Sequence, residues 1–144
     1  MVGDIYNLNV DKRFDVALLT GVLHHLSDPE RAIKAIASLR VDKIIICEPN
    51  GWNPVLKLIE RFSSYHVAHE EQSFTLETVK SWCKVAGLSI EATKYLNLVP
   101  LFCPDWMAKI CKFFEPLVEA LPLIRTVCCG QFIVVARKAI VEER

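Results

Sequence analysis

The sequence has no net charge and no long uncharged apolar segment. Seventeen Lys and Arg residues balance seventeen Asp and Glu residues among 144, so the overall positive field that attracts nucleic acid is absent. The longest apolar stretch, residues 126–136, has only the length of a strand. A membrane-spanning helix needs roughly 18 uncharged apolar residues. We therefore expect no nucleic-acid partner and no transmembrane segment.

The six cysteines lack the spacing of disulfide-rich or zinc-binding proteins. None forms a C-x-x-C pair, and no secretory signal is evident before them. His24 and His25 are adjacent and cannot share one helix face, and no other His or Cys stands at a spacing that completes a zinc site. We expect reduced, mostly buried thiols in a cytoplasmic protein without a metal centre.

Length and hydrophobic content indicate one folded domain over residues 1–144. The length allows one domain but not two. The 52% hydrophobic content supplies enough side chains for a core. An α/β domain follows from the order of the predicted elements.

The first half of the chain has the pattern of a strand, a helix and a second strand. Residues 15–19 and 43–47 are short apolar runs, typical of strands buried on both faces. Between them, Ser27 or Asp28 can cap a helix whose first turn contains Pro29. The short connections predict a βαβ unit with parallel strands.

The second half predicts further helices and strands. Apolar residues at helical spacing predict a helix over 54–62 and another from Thr75 to a stop at Gly87. Strands are predicted over 89–98 and 131–137. A helical insertion therefore separates the last two strands.

Several segments stand in an order that matches a known family. They read G-D-I-Y-N-L over 3–8, F-D-V-A-L-L over 14–19, L-H-H-L-S-D-P over 23–29, I-C-E-P-N over 46–50 and A-G-L over 86–88. Together they resemble the class I S-adenosylmethionine-dependent methyltransferases of the small-molecule, quinone and sterol type, over essentially the whole chain. The resemblance implies a Rossmann-like sheet, mostly parallel, with an antiparallel C-terminal strand.

The sequence departs from this family near its start. Family members open with a strand and a G-x-G-x-G turn, and a second strand ends in an acidic residue that holds the cofactor ribose. Neither is present, since Gly3 is the only glycine before Gly21. We interpret the chain as a partial domain without the family's first strands, which leaves the strand over 15–19 at an exposed edge. That edge is expected to pair in a homodimer or with a separate chain that carries the missing strands.

The resemblance assigns four residues to an S-adenosylmethionine site. Asp4 stands where the family contacts the adenine amino group, and Ile5 beside it packs on the adenine. An ordinary turn is the alternative for both. Thr20 and Gly21 end a parallel strand, where open α/β sheets bind ligands, and they would face the methionine part of the cofactor. Gly21 can instead serve only a tight turn.

Two catalytic candidates also follow from the resemblance. His25 would lie near the cofactor's methyl group and act as a general base, or it would pack beneath the next helix. Glu48, at the end of a parallel strand, would orient a substrate hydroxyl or amine, or bind neighbouring backbone.

Three residues are candidates for binding the substrate. Asn50 follows Glu48 at the same strand end. His69 lies in a polar loop that covers the active site in the family, although a solvated loop is the alternative. Trp106 belongs to the helical insertion.

The insertion, residues 100–125, carries a wide apolar stripe interrupted by Pro116. The stripe comprises Trp106, Ile110, Phe113, Phe114, Leu117 and Leu121. In the family's frame it would form a lid over an apolar acceptor, and a cap that completes the core is the alternative. Peripheral contact with lipid is a third option, which we favour less because only Lys109 and Lys112 would face anionic lipid.

The function expected from this resemblance is methyl transfer from S-adenosylmethionine to a hydrophobic small molecule or lipid-like acceptor. Such transfer needs mainly in-line positioning and exclusion of water, so the absence of a sharp catalytic motif is uninformative. The alternative is a non-catalytic remnant or partner subunit that binds another protein through its strand edge. A measurable cofactor site distinguishes the two.

Overall fold

A computed structural model of the chain describes residues 3–8, 10–62, 72–99 and 103–138. These residues form a four-stranded sheet with helices between the strands. In chain order the elements are β1 (Phe14–Thr20), a 3-10 turn (Leu23–His25), α1 (Pro29–Ser38), β2 (Val41–Pro49), α2 (Pro54–Phe62), α3 (Leu76–Val85), β3 (Leu88–Leu96), α4 (Asp105–Ala120), α5 (Pro122–Cys128) and β4 (Gln131–Lys138).

The strand order across the sheet is β1-β2-β4-β3. β1 and β2 are parallel, with Leu19 opposite Ile46, and β4 runs antiparallel to both β2 and β3. The predicted βαβ unit and the antiparallel C-terminal strand are therefore confirmed. Since β1 and β2 run in the same direction, their carboxyl ends meet at one edge of the sheet.

The predicted capping residues and the predicted terminating glycine are found at the ends of α1 and α3. Asp28 caps α1 by accepting a hydrogen bond from the N–H of Arg31 at 3.0 Å. Thr75 caps α3 by accepting one from the N–H of Thr78 at 3.2 Å. Gly87, with φ of +74°, follows the end of α3 in the left-handed conformation that favours glycine.

The hydrophobic core lies on one face of the sheet. The register places Ile44 opposite Ala136 and Ile46 opposite Val134, and all four side chains are buried. Helices α1 and α3 contact one another and supply buried side chains to the same core, including Ile33 on α1 and Val79 and Cys83 on α3. The alternate side chains of β2 and β4 are only half-buried, so this face carries most of the packing.

β1 lies at one edge of the sheet within the described part of the chain, as the sequence predicts. Phe14, Val16 and Leu18 are 42 to 67% exposed on one face, while Leu19 is buried on the other. Such an edge offers unpaired backbone groups and apolar side chains to another strand. Its pairing partner stays a prediction.

The apolar stripe of the insertion does not complete the core. Its helix α4 includes Pro116, and its outer residues are highly exposed, with Phe113 at 79%. The buried residue of α4 is Glu115, which accepts hydrogen bonds from the backbone N–H of Leu98 at 3.3 Å and from Lys112. Because Glu115 occupies the inner side of α4, the apolar stripe faces outward. Among the described helices, none is long and apolar enough to cross a membrane.

The six cysteines are free, but fewer are buried than the sequence suggests. Cys83 and Cys129 are buried, whereas Cys128 is exposed and the other three are half-buried. Burial in apolar surroundings raises the pKa of Cys83 to about 11, and burial is also the main cause that raises the pKa of Cys129 to about 11. These two thiols are packing residues rather than reactive groups.

Candidate active site

Glu48 lies near the carboxyl end of β2 and is fully buried. Its Oε1 accepts hydrogen bonds from the backbone N–H groups of Val22 and Leu23, both at 2.8 Å. Its Oε2 lies 2.8 Å from Nδ1 of His24. All three partners follow β1 in the chain, so the carboxyl group fastens the β1 turn to the end of β2.

His24 is the imidazole that Glu48 orients. Its side chain is 15% exposed, and its ring lies 4.0 Å from that of His25, centroid to centroid. A carboxyl oxygen at Nδ1 favours the tautomer with the proton on that nitrogen, which leaves Nε2 as an acceptor. His25, the predicted base, is exposed and does not line the cavity described below.

Thr20 and Gly21 lie at the carboxyl end of β1, as predicted. Gly21 has φ of +60°, and its N–H donates to the carbonyl of Cys47 at 2.9 Å. A Cβ at this position would meet Cε1 of His24 at 3.5 Å, an ordinary contact. The backbone turn therefore requires the glycine, and the turn brings the His24 ring close to it.

Tyr6 ties residues 3–8 to the start of α1. Its hydroxyl accepts a hydrogen bond from the N–H of Asp28 at 3.1 Å. Asp4 is exposed, and its Oδ1 accepts from the N–H of Tyr6 at 2.9 Å, while Ile5 packs against the core. α1 starts close after the carboxyl end of β1, so this segment lies at the same end of the sheet as Gly21.

A cavity of about 620 Å³ lies beside His24, between α2, α4, α5 and the ends of the strands. Its lining consists of His24, Pro49, Asn53, Pro54, Val55, Leu56, Ile59, Glu60, Gln72, Ser73, Asn97, Leu98, Val99, Met107, Cys111, Val127, Cys128, Gly130 and Gln131. Small-molecule sites typically have volumes of about 300 to 1,000 Å³, with mostly apolar walls and a few polar groups. The size and lining of this cavity fit that class of site.

Two buried asparagines fasten the cavity wall. Asn50 donates from Nδ2 to the carbonyls of Thr126 at 2.7 Å and Cys129 at 2.9 Å. Asn53 donates to the carbonyl of Cys128 at 3.1 Å, and its Oδ1 accepts from the N–H of Val55 at 2.9 Å. Asn50, the predicted substrate contact, is fully buried and does not line the cavity. Its side chain joins the β2 end to α5 instead.

Glu60 of α2 is an acidic group in the cavity wall. It accepts hydrogen bonds from the N–H of Ser73 at 2.8 Å and from Lys57 Nζ at 2.9 Å. Burial by itself raises the pKa of Glu60, but the hydrogen bonds from Ser73 and Lys57 outweigh it and hold the pKa below its ordinary value. These neighbours thus favour the ionised carboxylate, whose charge is paired with that of Lys57.

Of the two remaining predicted contacts, only Trp106 belongs to the described residues. Trp106 is 65% exposed on the outer side of α4 and does not line the cavity. His69 lies outside the described residues. Within the described ranges, no three His, Cys, Asp or Glu side chains cluster in a way that would hold a metal ion.

Sequence reasoning missed His24 and the cavity. The contact between His24 and Glu48 follows from the sheet register. Because Thr20 lies opposite Cys47, the residues that follow β1 meet the carboxyl group of Glu48. The choice between two adjacent histidines depends on the 3-10 turn at Leu23–His25, which periodicity does not predict.

The first 43 residues match a sequence family described as a methyltransferase domain. The match ends within β2, before Glu48. A comparison with curated proteins finds no match.

Solved structures share the fold at low sequence identity. A SAM-dependent methyltransferase from Archaeoglobus fulgidus is 16% identical, with a TM-score of 0.56 over 89% of this chain and 61% of its own. Magnesium protoporphyrin IX methyltransferase from Synechocystis PCC 6803, solved with bound SAH, is 15% identical, with a TM-score of 0.57 over 96% and 50%. A chain from the complex between the Haloferax volcanii Trm112 methyltransferase activator and a protein described as a methyltransferase is 13% identical, with a TM-score of 0.62 over 100% and 62%.

The chain spans 50 to 62% of the length of these three proteins. The chain therefore has the α/β fold of the S-adenosylmethionine-dependent methyltransferases, and its first 43 residues carry the sequence pattern of a methyltransferase domain.

Proposed function

We propose that the chain forms the acceptor side of an S-adenosylmethionine-dependent methyltransferase that methylates a hydrophobic small-molecule or lipid-like acceptor. The observation that carries this proposal is the mostly apolar cavity beside the His24–Glu48 pair, at the carboxyl ends of two parallel strands. Open α/β sheets bind their ligands at this end. The SAH-bound relative with the same fold supports the choice of cofactor.

The described residues fit one side of a cofactor site. Gly21 turns at φ of +60° and leaves only a His24 ring atom within 4 Å of a would-be Cβ, so a ligand can approach its backbone closely. Thr20 is exposed beside it. We assign the methionine part of the cofactor to Thr20 and Gly21, and the adenine to Asp4 and Ile5. The family's G-x-G-x-G turn is absent from the 144 residues, so these four residues are the ones that the chain offers to the cofactor.

The cofactor supplies an activated methyl group on a sulfonium. The cavity contributes exclusion of water and positioning of the acceptor, which carry most of the rate enhancement in such a transfer. When the acceptor atom is an oxygen or nitrogen that loses a proton, Nε2 of His24 takes that proton. Glu48 then stabilises the resulting imidazolium through Nδ1. Glu48 is thus a positioning residue, whereas His24 is the catalytic base.

Two experiments on the 144-residue chain test the proposal. Thermal unfolding with S-adenosylhomocysteine at about 100 times its Kd should show about 2.7 kcal/mol of added stability. In a methyl-transfer assay with apolar phenol and quinol acceptors, His24→Gln should lower kcat by about 100-fold or more, while His25→Gln, its exposed neighbour, serves as the matched control. Equal losses in the two variants would remove His24 from catalysis.

A second candidate function is a non-catalytic partner subunit. The observation that favours it is the exposed edge of β1, where Val16 and Leu18 are 47 and 67% exposed. The relative from Haloferax volcanii, solved in a complex with an activator protein, shows the same fold in a protein assembly. A cooperatively folded chain that gains no stability from S-adenosylhomocysteine would favour this function over methyl transfer.

A further inference from the structure

Three helices around the cavity expose large apolar side chains to solvent. We define the apolar rim by Val55 and Phe62 of α2, Trp106 and Phe113 of α4, and Leu123 and Val127 of α5. Their exposed fractions run from 44% for Val127 to 86% for Leu123. Monomeric soluble proteins rarely expose so many large apolar groups together, and such surfaces mark sites of contact with proteins or membranes.

The apolar rim is continuous with the mouth of the cavity. Val55 and Val127 line the cavity and are also 52 and 44% exposed. On α4, Met107 and Cys111 line the cavity, while Trp106 and the side chains one and two turns further along face outward. The exposed apolar surface therefore reaches the cavity wall at Val55 and Val127.

The charges around the apolar rim are arranged for an anionic surface. Apart from Asp105, the acidic side chains of α2, α4 and α5 are largely shielded from solvent. Glu60, Glu115 and Glu119 are each less than 20% exposed, and each pairs with a lysine. The basic residues Arg61 and Lys109 are exposed, whereas the charge of Lys112 is paired with that of Glu115. The outer side of α2 and α4 thus presents aromatic and aliphatic groups flanked mainly by positive charge.

We propose that the apolar rim docks on an anionic lipid bilayer, so that the cavity opens toward the membrane and takes an acceptor dissolved in it. Helices that lie in the interface place Trp, Phe and Leu at the acyl boundary and Lys or Arg at the headgroups. The rim and its flanking Arg61 and Lys109 match this distribution. The route of the acceptor rests on the proposed function, whereas the docking itself does not.

A protein surface is the less fitting occupant. A second copy of this chain would present the same exposed Arg61 and Lys109, and so offers no acidic partner for these two charges. Anionic headgroups instead neutralise these charges, with about 1 kcal/mol for each basic residue near the surface, which is a factor of about five in affinity.

Vesicle sedimentation tests the docking. The full chain is mixed with vesicles of phosphatidylcholine and phosphatidylglycerol at 3:1, and separately with pure phosphatidylcholine. We expect stronger binding to the anionic vesicles. The double variant Arg61→Gln/Lys109→Gln should bind them about 30-fold more weakly, as expected for two lost charges. The double variant Phe113→Glu/Leu123→Glu should lose at least about tenfold in affinity for both vesicle types.

The matched control is Val85→Glu, on α3, where the native side chain is 62% exposed but lies outside the apolar rim. Near-ultraviolet circular dichroism checks that every variant is folded. A folded chain that does not bind the anionic vesicles overturns the proposal, as does equal weakening by Val85→Glu. A dimer in light scattering that Phe113→Glu/Leu123→Glu dissociates assigns the rim to a second copy and also overturns it.

The vesicle experiment needs no cofactor or acceptor, so its outcome is separable from the proposed function. Binding to vesicles without any response to S-adenosylhomocysteine retains the docking surface and rejects the methyltransferase activity. A response to S-adenosylhomocysteine without binding to vesicles retains the methyltransferase activity and rejects the docking surface.

Discussion

Replacement of Glu48 tests the core of the candidate site. In Glu48→Ala, the backbone N–H groups of part-buried Val22 and buried Leu23 lose their acceptor. A buried donor without a partner costs about 1 to 3 kcal/mol. The two donors together, with the space left by the side chain, should lower the free energy of unfolding by about 3 to 6 kcal/mol.

The Glu48→Gln variant separates stability from catalysis. Its Oε1 still accepts from Val22 and Leu23, so stability should fall by only about 1 kcal/mol. Its amide nitrogen can replace Oε2 opposite Nδ1 of His24, which shifts the imidazole proton to Nε2. Because the acceptor lone pair is then on the wrong nitrogen, kcat should fall by about 100-fold or more in this otherwise stable protein.

Thermal unfolding followed by circular dichroism measures the stability effects. For a domain of this size, 1 kcal/mol corresponds to about 2 to 4 °C in Tm, so Glu48→Ala should unfold about 6 to 24 °C below the parent chain. A loss below about 1 kcal/mol in Glu48→Ala would refute the reasoning that the carboxyl group holds the β1 turn. Coupling between His24→Gln and Glu48→Gln in a double-mutant cycle should be close to the full single effect on kcat.

Further predictions concern the backbone and the thiols. Gly51→Ala should lower the free energy of unfolding by more than about 2 kcal/mol, because its Cβ would lie 2.7 Å from the carbonyl carbon of Phe74; denaturant unfolding measures this, and a stable variant would contradict the close approach. Gly87→Ala should cost about 1 to 2 kcal/mol in the same assay, since φ is +74° while the surrounding space is open. With a thiol reagent at pH 8, exposed Cys128 should react fast, whereas Cys83, with a pKa of about 11, should react only on unfolding, and mass spectrometry of the labelled peptides decides the order.

Local signals account for the elements that the sequence predicts correctly. Asp28 and Thr75 cap their helices through side-chain hydrogen bonds that involve only the next three residues. Gly87 ends its helix because its left-handed φ is a property of one residue. The helix over Pro54–Phe62 also matches its predicted bounds, since apolar residues at helical spacing indicate a helix, although none of its residues is buried.

The site residues that the sequence places correctly also depend on local features, whereas the others depend on contacts between distant parts of the chain. Thr20 and Gly21 are found at a strand end because strand ends are local features. Asn50 has the right position in the chain, but its amide is satisfied by carbonyl groups 76 and 79 residues away, at Thr126 and Cys129. Nothing in the sequence near Asn50 encodes those partners.

The sequence by itself determined the order of strands and helices and the parallel βαβ unit. Periodicity, capping and short connections are sufficient for these features because each depends on residues close in the chain. The tertiary structure decided that His24 rather than His25 meets Glu48, since that contact joins two adjacent strand ends. It also decided the direction of the α4 stripe, because the buried Glu115, bound to the backbone of Leu98, fixes the inner side of the helix and leaves the apolar side in solvent.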